Sequence, residues 1–162
     1  MRILIVHNHY LHPGGEDEVV ASEIKMLQEK GHEVIFYERT NHEIKALSFL
    51  GKIRFYLFEA LWSKKTYKDI SRIIKDSKPD IIHIHNTFLV LSPSVYQACH
   101  DSHVPVVQTL HNYRFLCPAG VFYRKNEVCE KCLEKGRGPS VINRCWKGSF
   151  LSSVLMCRII NK

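Results

Sequence analysis

Short apolar runs alternate with helical stretches along residues 1–110, and this alternation restricts the chain to a small set of parallel-sheet folds. Ile3-Leu4-Ile5-Val6 is a continuous apolar run, as expected of a strand covered on both faces. A polar stretch and Gly14-Gly15 follow. Val19, Val20, Ile24 and Leu27 then recur at helical spacing, with Glu16, Asp17 and Glu18 in the first turn and Gly31 as a stop signal. Glu33 to Glu38 reads as a second strand, and a strand–helix–strand unit implies a right-handed parallel crossover. Residues 43–76 carry helical periodicity in at least two pieces. Lys78-Pro79-Asp80 breaks it, and Ile81 to His85 is a third strand. Ser92-Pro93 opens a helix reaching Asp101, and Val104 to Leu110 is a fourth strand. The expected fold class is α/β: a doubly wound, Rossmann-like parallel sheet with helices on both faces, followed by a cysteine-containing loop insertion.

In such a sheet, ligands bind beyond the carboxyl ends of the strands. Gly14 and Gly15 lie there, where a missing Cβ lets backbone N–H groups approach an anion. His85-Asn86 ends the third strand and His111-Asn112-Tyr113-Arg114 follows the fourth, so three loops are expected to converge on one crevice. His7, His9, His12, His83, His85 and His111 all fall in or beside strand ends, yet none of them stands in an HxxxH or HExxH spacing. The plainer reading of each is a strand-capping or packing role.

A chain of 162 residues fits one domain. Its 23 Lys and Arg against 16 Asp and Glu give a net charge of +7, which favours acidic ligands, nucleic acid or an anionic membrane surface. No nucleic-acid-binding motif appears, so nucleic acid is not an expected partner. Neither a signal peptide nor a spanning apolar stretch is evident, and the expected location is cytoplasmic. From Phe49 to Tyr67, aromatic and aliphatic residues interleave with Lys52, Arg54, Lys64 and Lys65. Ile53, Leu57, Ala60 and Leu61 form one stripe expected to pack on the sheet, with Phe55, Phe58 and Trp62 as a second. This segment reads either as a buried helix or as a basic aromatic surface for anionic lipid or a lipid-linked substrate, peripheral to the membrane.

Of six cysteines, four fall in one segment as Cys117-x11-Cys129-x2-Cys132-x12-Cys145. The pattern resembles a four-thiolate structural zinc site, in which a Cys-x-x-Cys turn offers two sulfurs and two flanking thiols complete a tetrahedron. Disulfides, ordinary buried thiols and a redox pair remain alternatives. Cys99 and Cys157 are assigned to helix packing.

Met1 to Val6, Gly14-Gly15-Glu16, Gly31-His32-Glu33-Val34, Pro79-Asp80 through His83-Ile84-His85-Asn86, and Thr109 through Arg114 together resemble the amino-terminal half of retaining glycosyltransferases of family 4. Leu116-Cys117-Pro118, Cys129-Glu130-Lys131-Cys132 and Cys145 through Ser149 resemble one subset of it. The resemblance implies a GT-B architecture of two facing Rossmann-like domains, the first gripping acceptor and the second the nucleotide-sugar donor. By this likeness residues 1–162 form the first domain, divided into a core at 1–114, a cysteine-rich insertion at 115–147 and a terminal helix at 148–162. The carboxylate pair and diphosphate-binding residues of a carboxyl-terminal donor domain do not follow Lys162, so the chain is expected to transfer no sugar alone.

Carried over residue by residue, the likeness gives His111 the catalytic place near the transferred sugar. Gly14, Gly15, His85, Asn86, Asn112 and Arg114 take acceptor or donor-phosphate binding, and Cys117, Cys129, Cys132 and Cys145 the metal. The full enzyme implied is a hexosyltransferase of polysaccharide biosynthesis, acting on a glycan or lipid-linked acceptor. The rival reading is a stand-alone α/β module for a phosphate-bearing ligand or for protein interaction, with a structural zinc loop.

Overall fold

The computed structural model describes residues 1–161. The chain folds as two compact units, Met1–His111 and Asn112–Lys162.

The first unit is built on a four-stranded parallel sheet: β1 (Arg2–His9), β2 (Glu33–Thr40), β3 (Ile81–Ile84) and β4 (Val106–Gln108), in the order β2-β1-β3-β4. β1 has a partner on each edge, Ile3 pairing with Val34 on one side and with Ile81 on the other. Side chains alternate between the faces of a strand, so the apolar run splits in two. Leu4 and Val6 join Ile82 and Ile84 under α4 (Lys64–Ser77) and α5 (Ser94–Asp101), against Ile70, Ile74, Val95 and Ala98. Ile3 and Ile5 pack with Val20, Ile24 and Leu27 of α1 (Gly15–Glu29). Helices therefore cover both faces, as the continuous hydrophobicity of β1 requires. Cys99 lies fully buried in the α4/α5 core.

The strand order places the topological switch between β1 and β3, because the chain leaves β1 toward β2 and later returns on the opposite side of β1 as β3. The two strands are joined beyond their ends: Asn8 N–H donates to the carbonyl of Asn86 at 2.8 Å, and the Asn86 side-chain amide donates back to the carbonyl of Asn8 at 2.7 Å.

Between β2 and β3 the chain forms α2 (His42–Lys45), α3 (Phe49–Arg54), a π turn at Phe55–Glu59, and α4. The π turn alters the expected stripes. Phe55, Ala60 and Leu61 are buried while Ile53 is exposed, so Ile53 and Phe55 exchange the faces assigned by 3.6-residue periodicity. Phe49, Leu50, Ile53, Phe58 and Trp62 form the exposed set. Among the described residues, no helix is long and apolar enough to cross a membrane.

The second unit holds a hairpin of β5 (Tyr123–Arg124) and β6 (Glu127–Val128), then α6 (Lys131–Lys135), α7 (Gly138–Ile142) and α8 (Phe150–Ile160). Lys125 and Asn126 make the hairpin turn with φ of 54° and 63°, the pair of positive values that a two-residue turn of matching twist needs. Met156, Cys157 and Ile159 supply the buried side of α8, with the Cys157 thiol 3.1 Å from Ser140 Oγ. Both cysteines outside the quartet thus serve as packing residues.

Candidate functional site

The carboxyl edge of the first unit is built by a period of two. Odd-numbered residues of β1 face α1, so after Ile3 and Ile5 the same face presents His7 and His9; on β3, Ile81 is followed in that register by His83 and His85. Four histidines thereby share one face of two adjacent strands, and α1 crosses them with its carboxylates.

Asp17 organises the β1 side. Its Oδ1 lies 2.9 Å from His7 Nε2 and 2.6 Å from His9 Nδ1, while Oδ2 accepts the Gly14 backbone N–H at 2.7 Å. Gly14 is the N-cap of α1 in an extended conformation, φ −136°. It has no side chain to offer the helix, so only the return half of a capping box exists, from Asp17 back to the Gly14 amide. His9 Nε2 is 2.9 Å from Glu38 Oε2, so both its ring nitrogens meet carboxylates. Burial opposes ionisation of Asp17, but hydrogen bonds from Gly14, His7 and His9 outweigh it and hold its carboxyl below the usual range.

Glu23 organises the β3 side. Its Oε1 is 2.5 Å from His83 Nδ1, and its Oε2 is 3.5 Å from His85 Nε2. His83 Nε2 meets Thr109 Oγ1 at 2.8 Å, and His85 Nδ1 meets His111 Nε2 at 3.0 Å with the two rings stacked. Burial pushes His85 down to about 3, reinforced by the neighbouring His83, His111 and His7. Burial likewise lowers His7 and His111. These three imidazoles are neutral at pH 7, and a neutral imidazole offers one donor and one acceptor. Such an edge suits hydroxyl groups better than phosphate, since carboxylates and neutral rings line it.

The expected site residues are thus distributed as follows. Gly14, Gly15, His85, Asn86 and His111 lie in the first unit at the ends of β1, β3 and β4. The Gly14 amide is engaged by Asp17 rather than presented to an anion, and an added Cβ at Gly14 or Gly15 meets nothing within 4 Å. Asn86 also donates to Glu16 at 3.2 Å. Asn112 and Arg114 belong to the second unit. Asn112 Oδ1 accepts the Arg114 backbone N–H at 3.0 Å, and the Arg114 guanidinium stacks 4.9 Å over the Trp146 ring. Gly120, with φ +83°, lets that guanidinium lie close, since a Cβ there would stand 3.3 Å from its Nη2. Asp17 and Glu23 are the organising residues that sequence reading missed. The signal for them was the shared face of His7, His9, His83 and His85 opposite an acidic helix.

All six cysteines are free thiols. Burial raises the Cys132 thiol, with Cys117, Cys145 and Cys129 adding to the shift; burial also raises Cys145, against Arg124 and with Cys117 and Cys129. The four thiols therefore share one neighbourhood. Among the described residues, however, the groups of three donor atoms lying within 4.8 Å of one another are His7–His9–Asp17 and Glu23–His83–His85, so the quartet is not drawn in to the separation a common ion imposes.

The family model of Glycosyltransferase Family 4 matches residues 13–127. The chain belongs to glycosyltransferase family 4. The match to this family begins in the loop before Gly14 and runs through β3, β4 and His111 to the β5–β6 hairpin. Neither a curated protein nor a solved structure matches the chain.

The neutral histidines fix a pH dependence. In the unfolded family 4 chain, His7, His85 and His111 return to about 6.5, so below that pH the unfolded state binds more protons than the folded one. Their stability contribution is fully present above about pH 6.5 and is lost as pH falls toward the depressed folded values, each tenfold loss of proton affinity on folding being worth roughly 1.4 kcal/mol. Urea midpoints measured in chelator-treated buffer should fall between about pH 7 and 5, and His7→Gln should flatten the profile. A midpoint constant across that interval contradicts the neutral assignment.

Proposed function

We propose that the chain is the acceptor-side domain of a retaining hexosyltransferase that moves sugar from a nucleotide-sugar to a glycan or lipid-linked acceptor in polysaccharide biosynthesis. The single observation behind this reading is the His85–His111 pair at the switch-point edge, buried enough to stay neutral and stacked at hydrogen-bond distance. Sugar hydroxyls are matched by such a pair, by Asn86 and by the carboxylates around it. His111, on the half-exposed side, is the residue that meets the sugar, and His85 positions it. The departing diphosphate needs cationic donors, and the Arg39 guanidinium at the end of β2 is already engaged by Glu43 and Thr66, so that role falls to a second, donor-binding domain. The carboxylates along the edge likewise argue against a stand-alone phosphate-binding module.

Two accessory roles accompany this reading. The exposed Phe49, Leu50, Ile53, Phe58 and Trp62, interleaved with Lys52, Arg54, Lys64 and Lys65, support docking on an anionic membrane at the cytoplasmic face, where a lipid-linked acceptor would be met. In the second unit, the spacing of Cys117, Cys129, Cys132 and Cys145 and the nearness of the first two to Cys132 and Cys145 support a structural zinc held by the four thiolates, which would close by drawing the sulfurs inward.

Purified residues 1–162 should turn over no nucleotide-sugar. In saturation-transfer NMR they should bind an acceptor oligosaccharide, with His111→Ala weakening binding by about tenfold, the worth of one lost hydrogen bond. Turnover by this chain alone overturns the division of labour, and unaltered binding by the variant removes His111 from the site. Liposomes rich in anionic lipid should sediment the chain at low salt, with Phe49→Ser/Leu50→Ser reducing the bound fraction severalfold; indifference of the wild-type chain to such vesicles rules out this surface. For the cysteines, alkylation of the reduced, zinc-loaded chain should spare four thiols until a chelator is added, whereas four thiols equally reactive with and without zinc exclude the thiolate site.

A further inference from the structure

We propose that Glu23, His83 and His85 form a binding site for a divalent first-row transition-metal ion of the zinc and cobalt type, with at least one coordination position left open. The site lies in the first unit, on the face shared by α1 and β3, and is separate from the cysteine quartet. Helical spacing supplies its carboxylate. Val20, Ile24 and Leu27 hold α1 to the sheet, and Glu23, one residue before Ile24, overhangs β3. Strand spacing supplies its imidazoles, because His83 and His85 differ by two and point the same way.

Three features favour a cation here. First, one donor atom from each residue lies within 4.8 Å of the others. Zinc–nitrogen and zinc–oxygen bonds of about 2.0–2.2 Å hold tetrahedral ligands roughly 3.3–3.5 Å apart, within reach of small side-chain adjustments from 2.5 and 3.5 Å. Second, the outward nitrogens are already anchored, His83 Nε2 at Thr109 Oγ1 and His85 Nδ1 at His111 Nε2. Metal-ligating histidines are oriented in this way, by partners on the ring nitrogen turned away from the ion. Third, His85 Nε2 is fully buried without a hydrogen-bond partner and is aimed at the Glu23 carboxylate from 3.5 Å, beyond the range of a good N–H···O bond. When His85 Nδ1–H donates to His111, the Nε2 lone pair faces an anionic oxygen, and a cation between them turns that repulsion into attraction.

The parallel cluster of His7, His9 and Asp17 lacks the third feature. The orphaned atom there is His7 Nδ1, while Nε2 is the nitrogen that faces Asp17. A metal on Nε2 would leave a buried N–H without an acceptor, and Asp17 is already committed to the Gly14 amide. Two imidazoles and one carboxylate select a borderline transition ion over calcium or magnesium, which prefer all-oxygen shells. The partial exposure of His83 and Glu23, 15% and 21% of their side chains, leaves room for a water or a substrate oxygen as a further ligand.

The test uses the 162-residue chain without a purification tag, as a Cys129→Ser/Cys132→Ser variant that removes the thiolate site, stripped with chelator and titrated with Co²⁺. The expected result is one equivalent bound, with visible d–d absorption, no thiolate-to-metal charge-transfer band, and displacement by Zn²⁺. Glu23→Gln and His83→Gln should each weaken binding by at least about tenfold, and Asp17→Asn should leave it unchanged. In the wild-type chain, Zn²⁺ should shift the imidazole ¹⁵N resonances of His83 and His85, which keeps the test independent of whether a variant folds. No Co²⁺ binding by the folded double-serine variant overturns the proposal. So does binding lost in Asp17→Asn but kept in Glu23→Gln, or unmoved His83 and His85 resonances. None of these outcomes depends on sugar transfer.

Discussion

Everything in the first unit depends on β1 being enclosed. It has a parallel partner on each edge and helices on each face, so Ile3 through Asn8 are buried without a break. An enclosed strand must satisfy its backbone within the sheet and its side chains within two packed layers. Ile3 to Val6 meet the second requirement by hydrophobicity. His7 and Asn8 are buried as well but cannot meet it that way, and they call in polar partners: Asp17 for His7, and Asn41 and the Phe88 carbonyl for Asn8. The polar network at the switch point is the continuation of the core by other means.

That network has a definite electrical character. The chain as a whole is basic at +7, yet the edge where the strands end is lined by Glu16, Asp17, Glu23 and Glu38 and by imidazoles that burial keeps uncharged. Global charge and local potential therefore point to different ligands. The excess of Lys and Arg lies elsewhere, including the exposed segment around Lys52 and Arg54.

Most of the first unit was legible in the sequence because its signals are local. The Ile3–Val6 run, the Val20–Ile24–Leu27 spacing and the break at Lys78-Pro79 each mark an element without reference to any other. The parallel sheet and the two helical faces followed. The Phe49–Trp62 stripes were misread for a physical reason: a π turn adds a residue to the repeat, and apolar periodicity carries no mark of it. The placement of His85, Asn86 and His111 beyond β3 and β4 was legible because they follow predicted strands. Asp17 and Glu23 were not, because their first-turn and mid-helix positions have sufficient explanations in helix capping and solubility. Only the strand register shows that they stand over paired histidines. Asn112 and Arg114 follow His111 in sequence, but the Arg114–Trp146 stacking and the turn around Gly120 draw them into the second unit's own fold.

The π turn at Phe55–Glu59 also bears on how this chain tolerates change in length. One residue more per turn is equivalent to an insertion absorbed inside a helix instead of in a loop. With that residue removed, the segment would return to ordinary α-helical turns, and the side chains after it would keep the faces they now hold, because the bulge is what takes up the extra residue. The segment is a length buffer, where the helix gives up or takes in one residue without moving the buried Ala60 and Leu61 or the exposed Trp62 off their faces.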